Sequence, residues 1–172
     1  MTIEAKNQSS KDSAPTPLRI CCYGSSSSRT PEKYTNAAYQ LGNLLAKRGH
    51  TCINGAGSAG CMAAMNHGAN DGNGHIIGVI HEKFVVDGSD WFEGAHSVFQ
   101  EGKNEILIAR GDDLQERKRL LVEGADALVV LPGGPGTWDE VRDVHSSILM
   151  INRVRIPTCV ARCIAAVGNG MC

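Results

Sequence analysis

Apolar residues along this chain come in short bursts, separated by longer stretches with helical spacing. "LRICCYG" (18–24) is a strand-like run closed by glycine. "TPEKYTNAAYQLGNLLAKRG" follows, with Pro31 near its start and Gly49 at its end, a helix start and a helix stop. "HTCING" is a second short run, and "SAGCMAAMNHGANDG" a helix rich in small residues. "GHIIGVIHEKFVV" predicts a third strand with its exit loop. An irregular segment then runs from Asp87 to Gly102 and holds Trp91 and Phe92. "NEILIA" is a fourth strand. "GDDLQERKRLLVEGA" predicts a helix with Asp112 or Asp113 as N-cap and Leu114, Leu120 and Leu121 among its apolar positions. "DALVVLPGG" is a fifth strand, apolar throughout, as a parallel strand covered on both faces should be. "TWDEVRDVHSSILMI" is the next helix, and "IPTCVARCIAAV" is a candidate sixth strand.

Strand and helix thus alternate, the pattern of an α/β, Rossmann-like, doubly wound parallel sheet. At 172 residues, with no internal repeat, a single domain over 18–172 is expected. Residues 1–17 are polar and read as a flexible tail. They carry Glu4 and Asp12 and lack an apolar core, so neither a secretory signal nor a transit peptide is expected.

Composition narrows the classes. Hydrophobic residues are 42% and charged residues 20%, as in a soluble globular protein. A net charge of −1 supplies no basic footprint for nucleic acid, and no apolar run is long enough to span a bilayer. The seven cysteines show no CxxC pair and there is no HxxxH, which argues against zinc. Core packing is the reading for Cys21, Cys22, Cys52 and Cys61. The histidines have no triad-like or metal-like spacing, and His145 reads as a helix-face residue.

Three strands leave through loops of glycine and serine, and in doubly wound sheets ligands bind at such strand ends. "YGSSSSRTPEKY" is either a serine-rich turn or an anion cradle, with Arg29 available for a charge-assisted contact. "NGAGSAG" contains GxGxxG from Gly55 to Gly60, which suggests a dinucleotide. It follows the second strand rather than the first, and its candidate acid, Glu82, lies beyond the third strand. A nucleotide therefore fits better than NAD. "LPGGPGTWDE" (131–140) is either a tight turn capped by Thr137, with Glu140 closing a capping box, or one wall of a ligand pocket. The capping box leaves Gly133, Gly134 and Gly136 unaccounted for. Asp139 points away from Glu140 on a helix and reads as a solvated charge.

Taken together these residues resemble the LOG ("lonely guy") family of cytokinin riboside 5′-monophosphate phosphoribohydrolases, whose members are often labelled lysine decarboxylases. The family pattern PGGxGTxxE is complete from Pro132 to Glu140. "LQERKRLL" supplies the family's Arg-Lys pair as Arg117 and Lys118. Two departures stand out. Leu114-Gln115 replaces the usual Met-His at pocket-lining positions, and Gly55-Ala56-Gly57 replaces three consecutive glycines. The resemblance covers about Arg19 to Pro157.

The resemblance implies hydrolysis of the N-glycosidic bond of AMP or of cytokinin riboside 5′-monophosphates, releasing free base and ribose 5-phosphate. It implies Glu140 and Arg117 as the catalytic pair. Glu140 would stabilise an oxocarbenium-like state or orient water. A structural salt bridge is the alternative. Expected substrate contacts are Ser25, Ser26, Gly55, Gly57, Ser58, Lys118, Gly133, Gly134, Gly136 and Thr137. No cofactor or metal is expected, and no nucleic acid or membrane partner. A cytoplasmic homodimer is implied by the family. The alternative function is a non-catalytic carrier of a nucleotide or of molybdenum cofactor on the same fold. Relatives continue with further helices, whereas "CIAAVGNGMC" ends here, so a shortened C-terminus with an exposed apolar face is a further expectation.

Overall fold

The computed structural model describes residues 16–86, 99–100 and 102–150, with backbone alone at 86 and 144–150. The expected 1–17 tail (up to 15), most of the 87–102 segment, the side chain of His145, the candidate sixth strand and the C-terminal end lie outside the described residues.

Five strands form one sheet: β1 (Arg19–Tyr23), β2 (Thr51–Asn54), β3 (His75–His81), β4 (Glu105–Ala109) and β5 (Ala127–Val130). The helices are α1 (Glu32–Lys47), α2 (Gly60–Asp71), the short α3 (Glu82–Val86), α4 (Gln115–Val122) and α5 (Pro135–Met150). The strand order is β4-β3-β2-β1-β5, and every pairing is parallel. The chain steps outward from β1 to β4, and α4 then carries it back to β5 on the other side of β1. This is a Rossmann-like, doubly wound α/β sheet. Its topological switch point lies between β1 and β5, where such sheets open a crevice at the strands' carboxyl ends.

Period-two alternation gives the two faces different cores. Ile20 and Cys22 pack with Ala38, Leu45 and Met65 of α1 and α2. Cys21 and Tyr23 point the other way, to Leu121 of α4, with Val141 of α5 packed alongside. The neighbouring cysteines therefore serve opposite cores. Cys21, Cys22, Cys52 and Cys61 are all buried free thiols.

The small residues of α2 have a specific cause. A Cβ on Gly42 of α1 would strike the Met65 carbonyl oxygen and stand 2.9 Å from the Ala69 nitrogen. One on Gly68 of α2 would strike the Tyr39 carbonyl in the same way. The two helices touch backbone to backbone, and neither glycine has room for a side chain.

Three local expectations need correction. The third apolar burst does not leave through a loop. His81 Nδ1 accepts the Lys83 N–H at 3.1 Å, and α3 starts at once. The N-cap of α4 is Leu114, not Asp112 or Asp113; Asp113, one residue before it, accepts the Gln115 N–H on its Oδ1 at 2.9 Å. Finally, α5 begins at Pro135, whose fixed φ suits the first helical position. Thr137 is then the third residue of the helix rather than its cap, and Glu140 closes no capping box. Among the described residues no helix is long and apolar enough to cross a membrane.

Replacing Gly42 with Ala forces the Met65 and Ala69 backbone aside, so we expect a loss of about 1–3 kcal/mol or more in urea unfolding. An unchanged unfolding midpoint would contradict backbone contact between α1 and α2.

Candidate active site

The three glycine-rich exits are tied to one another at the carboxyl edge of the sheet. The Ser25 N–H donates to the Pro132 carbonyl at 3.1 Å, which joins the exits of β1 and β5. The Met62 N–H donates to the Ser25 carbonyl at 3.2 Å, which joins the β1 exit to the first turn of α2. Gly60 sits at φ +62 against the Ser25 and Ser27 carbonyls, where a Cβ would stand 2.6 and 2.8 Å from the two oxygens.

Between these loops lies a cavity of about 310 Å³. Its glycine and hydroxyl lining residues are Gly24, Ser26, Gly55, Gly57, Ser58, Gly136 and Thr137. Its apolar lining residues are Met62, which packs against Gly55 and Gly57, and Ile80, Phe84 and Leu114. Arg117 and Glu140 stand in the wall. Gly136 and Thr137 belong to the first turn of α5, where backbone N–H groups favour an anion.

Arg117 Nη1 donates to Glu140 Oε1 at 3.0 Å, with the two side chains only 13% and 14% exposed. The guanidinium is fixed on its other edges by carbonyls. Nε donates to Val79 O of β3 at 3.1 Å, and Nη2 to Gly55 O at 3.3 Å. A Cβ on Gly55 would collide with that same Nη2. This is the physical demand on Gly55: it lets Arg117 cross the β2 exit.

Burial raises the Glu140 carboxyl pKa above its ordinary value of 4.5, and the charge and hydrogen bond of Arg117 pull it back in part. Tyr23 and Cys21 lie behind the pair, and burial pushes both upward, so they stay neutral.

The structure does not bring every expected contact to the cavity. The Ser25 hydroxyl accepts the Ser27 N–H at 3.2 Å and the Thr30 hydroxyl at 2.7 Å, and so is used within its own loop. Gly133 gives room to the Thr137 side chain, which a Cβ there would strike. Neither Ser25, Gly133 nor Gly134 is among the lining residues. Lys118 turns away from the cavity, to Asp139 at 2.6 Å and Asp143 at 2.5 Å. Asp139 is exposed, as expected of a solvated charge, and in addition pairs with Lys118.

The departure at Ala56 is also explained. Ala56 adopts φ +57, the left-handed region, which costs about 1 kcal/mol more for alanine than for glycine. Its N–H is held by Asn54 Oδ1 at 2.8 Å, and Asn54 Nδ2 donates to Asn66 Oδ1 at 2.6 Å. Gly24, Met62, Ile80 and Phe84 were not singled out from sequence. Ile80 at the end of β3 and Met62 in the first turn of α2 could have been, from strand-end position alone. Among the described residues no group of three or more histidine, cysteine or acidic side chains could hold a metal ion.

Two outcomes follow from this geometry. Gly55→Ala should push Arg117 off its carbonyl contacts, seen as a changed Arg117 Nε–H signal in nitrogen-15 NMR; an unmoved signal would refute the steric argument. Arg117→Met removes the two largest of the three influences that favour the Glu140 anion and leaves the Lys118 charge, so the carboxyl midpoint, read by carbon-13 NMR, should rise further. With a folded pKa above 4.5, the stability from this group is present below the unfolded value and lost as pH rises through the folded one. The Arg117→Met protein should therefore lose stability over a wider range on approach to neutral pH. A lowered midpoint would contradict this.

The family model of SLOG cluster4 matches residues 17–161. The chain is 35% identical over 126 residues to the cytokinin riboside 5′-monophosphate phosphoribohydrolase LOG of Oryza sativa subsp. japonica, which covers 73% of this chain and 48% of that protein. It is 32% identical over 126 residues to another cytokinin riboside 5′-monophosphate phosphoribohydrolase, from Arabidopsis thaliana, covering 73% of this chain and 53% of that one. The chain thus spans about half the length of the curated relatives it matches. In structure it is similar to the molybdenum cofactor carrier protein MCP from Chlamydomonas reinhardtii, with a TM-score of 0.56 and 22% identity over 88% of this chain and 96% of that one, a likeness of fold. The chain belongs to the SLOG cluster4 family, and the plant LOG phosphoribohydrolases are its homologues.

Proposed function

We propose that this protein hydrolyses the N-glycosidic bond of a nucleoside 5′-monophosphate, AMP or a cytokinin riboside 5′-monophosphate. The observation that carries the reading is the buried Arg117–Glu140 pair in the wall of a cavity built from glycine-rich strand exits. Homology to the LOG phosphoribohydrolases supports it. The same resemblance is the ground for a cytoplasmic homodimer.

The phosphate sits against Ser26, Gly57, Ser58 and the first turn of α5 with Gly136 and Thr137. The base lies toward Met62, Ile80, Phe84 and Leu114. Breaking the C1′–N bond leaves positive charge on the ribose. The Glu140 anion stabilises that charge and takes a proton from the attacking water as its oxygen bonds to C1′. The proton taken up by Glu140 passes through solvent to the departing base, which restores the Glu140 anion as ribose 5-phosphate is released. Burial, which raises the Glu140 pKa, makes its carboxylate a stronger base. Arg117 keeps that carboxylate oriented and, despite the burial, ionised enough to act.

A carrier of a phosphorylated ligand is the second reading, favoured by the shared fold with the molybdenum cofactor carrier. A carrier has no need of a buried acid beside a fixed guanidinium.

Incubation with AMP and with isopentenyladenosine monophosphate should release free base. Glu140→Gln should lower turnover by about 10²-fold or more while nucleotide binding is retained. Binding without base release by folded wild-type protein would favour the carrier. Normal turnover by Glu140→Gln would remove Glu140 from the chemistry.

A further inference from the structure

We infer that Lys118 is a positioning residue: it clamps α4 to α5 and so fixes the distance between Arg117 and Glu140. The inference rests on the hydrolase reading for its kinetic test, and replaces the expectation that Lys118 is a substrate contact.

The geometry is a double crossing between two helices. Arg117 and Lys118 are neighbours on α4. Arg117 reaches Glu140 of α5 at 3.0 Å. Lys118 reaches Asp139 at 2.6 Å and Asp143 at 2.5 Å. Asp139 and Asp143 are four residues apart, hence on one face of α5, and Glu140 is next to that face. Two of the three ammonium donors are consumed by these carboxylates. The Lys118 side chain is 13% exposed and does not line the cavity. Two carboxylates already offset the ammonium, and Arg142 is near enough to act on Asp139, so Lys118 has no uncompensated charge to offer a phosphate. Both carboxylates hold the Lys118 pKa above its ordinary value, so the clamp stays charged.

The clamp matters because α4 is short: Leu121, the partly buried Leu120 and Val122 and the Arg117 hydrogen bonds hold it to the sheet, and Lys118 adds a second ionic tie to α5. It is eight residues long, its N-cap position makes no side-chain hydrogen bond, and Leu121 is its one buried residue. Yet it carries the guanidinium that must meet Glu140. A shift of about 1 Å between catalytic groups is enough to lower a rate many-fold.

The test compares Lys118→Met, Asp139→Asn/Asp143→Asn and the triple variant with wild type, using AMP as substrate. The clamp predicts that the first two each lower kcat about tenfold with KM changed less than about twofold, and that the triple variant is no worse than either. Lys118→Arg should recover most of the rate. A KM rise confined to Lys118→Met, with the aspartate variant at wild-type rates, would make Lys118 a phosphate ligand and overturn the clamp. Wild-type kinetics in all variants would also overturn it. Should a variant fail to fold, Asp143→Asn alone gives a smaller fall in kcat, and an unchanged kcat there counts against the clamp.

The Glu140 titration, read by carbon-13 NMR, decides the matter even if the wild type releases no base, a result that would overturn the hydrolase reading alone. By charge alone, Lys118 lowers the Glu140 pKa and Asp139 raises it, so their removal moves the midpoint in opposite directions. Loosening the clamp withdraws Arg117 in both cases, so both variants move it upward. Opposite movements would refute the clamp.

Discussion

A guanidinium anchored on three sides organises this molecule. Arg117 is tied to the carbonyl of Val79 in β3, to the carbonyl of Gly55 after β2, and to the carboxylate of Glu140 in α5. Arginine suits this task because its planar fork offers donors in fixed directions and stays charged when buried. Removing either ionic partner would leave the other charge inside the protein, a change that typically costs about 3–5 kcal/mol. The pair therefore links three elements of the fold and defines one wall of the cavity at the same time.

The rest of the site depends on backbone approach that larger residues would prevent. Gly55 makes way for Arg117, and Gly133 for the Thr137 side chain. Behind them α1 and α2 touch through Gly42 and Gly68, which seats the two helices backbone to backbone. Ala56 stands where the family has glycine, and its left-handed backbone is held by the buried Asn54–Asn66 pair. Fixed loops of this kind suit recognition of a rigid ligand, since little ordering remains to be done on binding.

Charge is divided between the two sides of α4. Arg117 faces the cavity, while its neighbour Lys118 is taken up by Asp139 and Asp143. Adjacent residues on a helix point about a quarter-turn apart, so one basic pair serves two surfaces. Leu114 and Phe84 add apolar surface to a cavity otherwise lined largely by polar loops, so the lining offers contacts of both kinds.

The order of strands and helices was legible in the hydrophobic pattern, because burial on both faces forces continuous apolar runs and parallel strands require long crossovers. The Pro132–Glu140 stretch likewise announced a strand end, a helix start and a carboxylate one turn in. What the sequence could not decide was direction. Whether Glu140 closed a capping box or met Arg117, and whether Lys118 reached a ligand or Asp139, turned on helix register and on α5 starting at Pro135. Nor could spacing along the chain reveal that Gly55 serves Arg117, 62 residues away. Local propensity determines which elements form. Which side chains meet is settled only when the sheet brings distant strand ends within hydrogen-bond range.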